Sequence, residues 1–160
     1  MIFVALGSQK FQLDRLLREL DRLVGEGLLQ EEIFAQTGCS GYVPQHYASQ
    51  RFLEREEFAA YVRKADVIII HGGSGAIMSA VKQGKRVVAF PRLAAFGEHV
   101  DDHQLQLVGQ FAEMNLVIPC YRCEDLLEAI REAEVHTFDR YGSSNQRLID
   151  SIRVYIEEIV

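Results

Sequence analysis

Two short stretches of the chain gather residue types that do chemistry. The first, HGGSG at 71–75, places Gly72, Gly73, Ser74 and Gly75 between an apolar run and a helical pattern. Glycines allow positive φ and close backbone approach, and the free N–H groups of a first helical turn attract an anion. A diphosphate fits such a turn, and so does a tight connection that binds nothing. No Lys-Ser or Lys-Thr pair follows the glycines, so this is not a Walker A loop. The G-x-G-x-x-G spacing of a dinucleotide fingerprint is also missing.

The second stretch is GEHVDDHQ at 97–104, which clusters Glu98, His99, Asp102, His103 and Gln104. His99 and His103 lie four apart and would share a helix face, as zinc ligands do, but no distant third ligand accompanies them and no metal is expected. Imidazole N–H donation to a sugar or a phosphate oxygen suits them better. Glu98 or His99 could take a proton from a hydroxyl nucleophile; hydrogen bonds that order a loop are the other role open to both. His71, beside the glycines, reads either as a phosphate neighbour or as a histidine satisfied at the edge of the core.

These residues need a scaffold. The run 2–7 reads as a buried strand, and 11–24 as an amphipathic helix with apolar residues at mostly helical spacing. Strands are expected at 32–38 and 50–54, then a helix at 55–65 with acids early and bases late. DVIII at 66–70 has no polar alternation, as in a strand buried on both faces. A helix at 76–83 stopped by Gly84, a strand at 86–90, a helix at 101–115 capped by Asp101 or Asp102, and a strand at 116–120 follow. Helices at 124–133 and 144–159 close the pattern, the last with an apolar stripe. Strands alternating with helices predict an α/β fold, a doubly wound parallel sheet with right-handed crossovers, in one domain spanning 1–160. The aperiodic segment 90–102 follows a strand, where ligands bind in such sheets.

The chain has 160 residues, 48% hydrophobic and 25% charged, with a formal net charge of -6. That acidity argues against a nucleic-acid partner and against direct attraction to anionic lipid. Three cysteines do not make a disulfide framework, and Cys120 and Cys123 read as two ordinary thiols. No leader is visible and no apolar run approaches the ~20 residues of a membrane span. A cytoplasmic location is expected, with any membrane contact made through a partner.

The blocks MIFVALGS…FQLDRL, FAQTGCSGYVP, ADVIIIHGGSG and HGGSGAIMSAVKQGKRVVAFPRL…FGEHVDDHQ resemble the C-terminal domain of glycosyltransferase family 28. The likeness runs from residue 1 to about 130. It is greatest to the short stand-alone subunits of bacterial capsule and exopolysaccharide synthesis, and of the eukaryotic two-subunit dolichol-linked UDP-GlcNAc transferase. The resemblance implies the Rossmann-like, donor-binding half of a GT-B glycosyltransferase. A membrane-anchored partner subunit would supply the acceptor-binding half. The reaction implied is transfer of a hexose from a UDP-sugar to a lipid-pyrophosphate-linked saccharide, with no cofactor and no metal. It assigns the diphosphate to Gly72, Gly73, Ser74 and Gly75. Pro91 and Arg92 would lie near the nucleotide base, and Asp102, His103 and Gln104 on a motif whose Gln bonds the donor sugar. Glu98 and His99 match a Glu-His pair of the bacterial subunits, and Gly7 and Ser8 a loop facing the acceptor.

Two positions depart from the family pattern. Ser79 stands where a Glu usually meets the ribose hydroxyls, and Gln9 where the bacterial subunits commonly carry His. Both favour a second reading, a catalytically weak module that enhances a partner transferase. A third, an unrelated nucleotide-binding α/β domain, explains the sheet and the glycines but not EHVDDHQ. Self-association in isolation is one outcome of a chain whose other half is elsewhere.

Overall fold

The computed structural model describes residues 1–142, 150 and 152–154. Its strands are β1 (Ile2–Ala5), β2 (Ile33–Gln36), β3 (Ala48–Gln50), β4 (Val67–His71), β5 (Arg86–Phe90) and β6 (Ile118–Pro119). The helices are α1 (Asp14–Gly25), α2 (Arg55–Lys64), α3 (Ser74–Lys82), α4 (His103–Glu113) and α5 (Leu126–Val135). All pairings are parallel, in the order β3-β2-β1-β4-β5-β6. The chain leaves β1 toward β2 and returns to pair β4 on the other side, so the order reverses at the β1/β4 boundary. In open parallel sheets, ligands bind in a crevice at such a reversal, outside the carboxyl ends of the strands.

The absence of alternation in the central strands now has its cause. Ile2, Val4, Val67, Ile69 and Val88 point to one face and pack against Leu16, Leu17 and Leu20 of α1 and Leu126 and Ile130 of α5. Their neighbours Phe3, Ala5, Ile68, Ile70, Val87 and Ala89 point the other way, to Val62, Ile77, Met78, Val108 and Phe111 of α2, α3 and α4. Each face is dry, so each alternate residue must be apolar.

Most boundaries follow the sequence reading. Gly84, at φ +70, ends α3 as expected, with its N–H on the Val81 carbonyl. The third strand does not: it lies at Ala48–Gln50 rather than 50–54. Register with β2 fixes it, and Gln36 of β2 reaches past the strand end to accept the Leu53 amide at 3.0 Å. Phe52 and Leu53 look like strand residues because they are apolar. Leu53 instead precedes α2 and packs, with Phe58, against the second core, in the positions of a hydrophobic staple. The expected helix 144–159 lies largely outside the described residues; within it, Ile152 is buried against the second core.

The connection from β2 to β3 is pinned to α1 by two carboxylates, Asp14 on the Gly41 and Tyr42 amides and Asp21 beyond it. Asp21, 3% exposed, accepts hydrogen bonds from Tyr42 Oη, Gln45 N, His46 N and the His46 ring. Burial by itself raises its pKa, but these donors more than offset it and hold the carboxyl below its ordinary value. Asp21→Asn is expected to destabilise the fold by about 1–3 kcal/mol at neutral pH. The carboxylate's contribution is complete above the unfolded pKa of about 3.9 and is lost as pH falls through the lower folded value. Urea unfolding of both chains checks this: the gap in stability between them should narrow as the solution is acidified into that window.

Candidate functional site

Four connections meet over the carboxyl ends of β1, β2, β4 and β5, and backbone closeness dictates their glycines. A Cβ on Gly38, at φ +60, would stand 2.6 Å from the Gly7 carbonyl oxygen. A Cβ on Gly72 would meet the Gln104 Cβ at 2.6 Å, and one on Gly73 the His71 Cε1 at 2.3 Å. Three of the small residues are thus required by packing alone. Gly75 differs: it is exposed, with open space where its Cβ would be.

Gln104 ties the site together. Its side-chain oxygen accepts the Gly72 amide at 2.9 Å and the Arg92 amide at 3.0 Å, and the residue is 5% exposed. One carboxamide on α4 therefore locks the exits of β4 and β5 to each other. Gln104 is the residue expected to bond the donor sugar; its oxygen is committed inside the protein. Its nitrogen lies 3.5 Å from His71 Nδ1.

His71 is 8% exposed and its Nδ1 accepts the Gly73 amide at 3.1 Å. A backbone amide can only donate, so a neutral ring carries its proton on Nε2, the nitrogen turned toward Gly7. Burial, followed by repulsion from the Arg92 guanidinium, pushes the His71 pKa down to about 3. The ring is a neutral hydrogen-bond donor at the crevice rather than a cation.

Helix α3 starts at Ser74 with Gly73 as its N-cap. The Gly72 and Gly73 amides are used internally, whereas those of Ser74, Gly75 and Ala76 open the helix and bond to nothing among the described residues. Ser79 lies one turn beyond Gly75 and both are exposed. The candidate anion site therefore shifts from 72–75 to the amides of 74–76, flanked by His71 and Ser79.

The β5–α4 connection carries the other predicted residues. Glu98 is 1% exposed, and both of its oxygens are bound by Arg15, at 2.7 Å from Nε and 3.0 Å from Nη2. It also accepts the Leu93 amide at 3.0 Å. Buried and bound at both oxygens, Glu98 fits the loop-ordering role that its sequence context left open. Arg15 was not singled out in the sequence, where it is one more charge on an amphipathic helix. Its guanidinium lies 4.5 Å from the Phe90 and Phe96 ring centroids and also donates to the Pro91 carbonyl. His99 is half-buried against Phe11, ring centroids 4.5 Å apart, with Nδ1 3.2 Å from an Asp101 carboxylate oxygen. The Asp101 amide also donates to this Nδ1, at 3.5 Å, so Asp101 holds the ring through both its backbone and its carboxylate. Asp102 is exposed and accepts the Ala94 amide; His103 is half-buried, and its amide goes to Asp101. Arg92, expected near a nucleotide base, is 0% exposed.

Cys120 donates to the Arg122 carbonyl and Cys123 to the Arg15 carbonyl, and burial pushes the Cys120 thiol up to about 12. These are structural thiols. Among the described residues no group of three or more His, Cys, Asp or Glu side chains is placed to hold a metal ion, and no helix is long and apolar enough to cross a membrane.

A six-stranded parallel sheet in this strand order, with helices on both faces, defines a Rossmann-like α/β domain. The family model for the glycosyltransferase family 28 C-terminal domain matches residues 1–155, and the chain belongs to that family. Among solved structures it is similar to MurG from Acinetobacter baumannii, at TM-score 0.53 and 19% identity, over 94% of this chain and 49% of that one. A further match is the glycosyltransferase SnogD from Streptomyces nogalater, at TM-score 0.44 and 20% identity, over 83% of this chain and 37% of that one. The chain thus spans about half the length of MurG. Among curated proteins none matches.

Gln104→Ala would strand two buried amides, at a cost of about 1–3 kcal/mol each. We expect the variant to melt well below the parent and to lose its amide protection at Gly72 and Arg92 in hydrogen exchange. Unchanged protection at both amides would contradict the clamp.

Proposed function

We propose that this chain is the donor-binding half of a glycosyltransferase, taking a UDP-sugar with its diphosphate on the Ser74, Gly75 and Ala76 amides. The observation that carries the reading is that these amides stand open at the strand-order reversal while their neighbours at Gly72 and Gly73 are tied down. Preorganised donors of this kind are most effective where charge builds on a leaving group. In this reading the His71 Nε2–H donates to the same diphosphate, and Ser79 reaches the ribose hydroxyls with a short, uncharged side chain. His99, oriented by Asp101, takes the proton of the acceptor hydroxyl. Asp102 and His103 border the donor at the start of α4. No metal or cofactor enters the scheme.

The resemblance of the sequence blocks to the family's stand-alone subunits supports a heteromeric enzyme, in which a separate chain supplies the acceptor-binding half. A membrane-anchored partner would then bring a lipid-pyrophosphate-linked saccharide to this crevice, for polysaccharide synthesis at the inner face of a membrane. An enhancer that binds donor weakly and leaves catalysis to its partner is the second reading, favoured by Ser79 in place of the family's Glu.

Calorimetric titration with UDP tests the donor site, and binding is expected. Adding the partner subunit and a panel of UDP-sugars should then yield transfer, with His99→Ala lowering kcat by a factor of about 100 or more and leaving UDP affinity intact. UDP binding without turnover in that mixture would select the enhancer, and no UDP binding would remove both readings.

A further inference from the structure

The least settled group in the molecule is Arg92. It is 0% exposed, and its side chain donates from Nη2 to the Phe11 carbonyl, at 3.2 Å. Its Nε and Nη1 are buried with no hydrogen-bond partner among the described residues. A guanidinium carries five N–H donors and keeps its proton, so stranded nitrogens represent a sustained cost. Folds rarely retain such a charge unless it is neutralised nearby, and here it is not. Glu98 attracts it, yet both Glu98 oxygens are held by Arg15. Two guanidiniums thus share one carboxylate, leaving an excess of one positive charge beneath the crevice.

That charge is felt where the ligand would sit. Arg92 repels protons from His71, whose ring fills the space between Gly7 and Gly73. The Arg92 backbone is fastened through Gln104 to Gly72 at the turn that opens α3, and its buried guanidinium is tethered to the Phe11 carbonyl. A charge inside low-dielectric protein acts over a longer range than one in water and is poorly screened by salt. The chain as a whole carries a formal charge of -6, which would repel a diphosphate.

We infer that Arg92 is a buried counter-charge that gives the crevice its preference for pyrophosphate-bearing ligands, acting through the field beneath His71 without touching the ligand. This rests on the donor-site reading above and deepens it. Uridine recognition belongs to other parts of the crevice, while discrimination in favour of the diphosphate depends on Arg92. The carboxylate that could have neutralised the cation is diverted to Arg15, and the positive field remains.

The test compares UDP, inorganic pyrophosphate and uridine binding to the unaltered chain, Arg92→Met and Arg92→Lys, by calorimetry and ligand-observed NMR, with thermal melts alongside. Arg92→Met should lower UDP and pyrophosphate affinity by about tenfold and leave uridine unchanged. Arg92→Lys should restore most of the loss. The Met variant should melt no lower than the parent, since it removes a buried unsatisfied charge. An unchanged UDP-to-uridine ratio in Arg92→Met, or a parallel loss of all three ligands, would overturn the proposal while leaving the donor site standing. Failure of the unaltered chain to bind UDP would instead remove the donor site and this proposal with it. If Arg92→Met does not fold, a salt series on the unaltered chain decides. The preference for UDP over uridine should persist at high ionic strength, and its collapse there would refute a buried source.

Discussion

One carboxamide oxygen sets the geometry of the crevice. Gln104 accepts an amide from the exit of β4 and another from the exit of β5, from inside the first turn of α4. Paired strands leave a sheet with their next residues free to diverge; here they cannot. The shared acceptor fixes where Gly72 turns, hence where Gly73 caps α3, and so which amides face outward. It also holds the backbone of Arg92, so the direction of that side chain is set by the same bond. Removing the acceptor would leave both strands in register and the site without a shape.

A second tie acts at right angles to the first. Arg15 of α1 grips Glu98, stacks on Phe90 and Phe96, and donates to Pro91. It fastens the long β5–α4 connection to the opposite layer of the sandwich. The bidentate geometry and low exposure make this pair more than a surface ion pair, whose worth is commonly below about 1 kcal/mol. Its consequence for chemistry is positional: His99 follows Glu98 directly, and its ring is set against Phe11 and Asp101 by a loop that cannot swing.

The fold was legible because periodicity reports burial. Apolar runs without alternation could only be strands covered on both faces, and the glycine stop of α3 was where φ demanded it. The third strand was displaced because apolarity is not strand pairing: Phe52 is exposed, and Leu53 packs on the core at a helix entry. In the site, residue types were legible and their partners were not. Glu98 and Gln104 are polar groups in a functional stretch, and nothing in local sequence says that Arg15, some eighty positions away, or the Gly72 amide will claim them. Long-range hydrogen bonds decide whether a polar side chain is an instrument or a fastening. Sequence spacing carries that information only within a helix or a turn.

The strand order also ties the site to the sequence of events in biosynthesis. β1 pairs with β2, thirty-odd residues on, and with β4 beyond residue 66. During translation the first pairing can form early, but the opposite edge of β1 stays bare until β4 has left the ribosome. The crevice is the gap between those two strands' exits, so it cannot exist in any shorter nascent chain. Closing such a non-local pairing is a slow step in folding. In this domain, completion of the sheet and the birth of the ligand cleft are one event, and a chain stalled before residue 67 would display an open hydrophobic edge to whatever chaperone attends it.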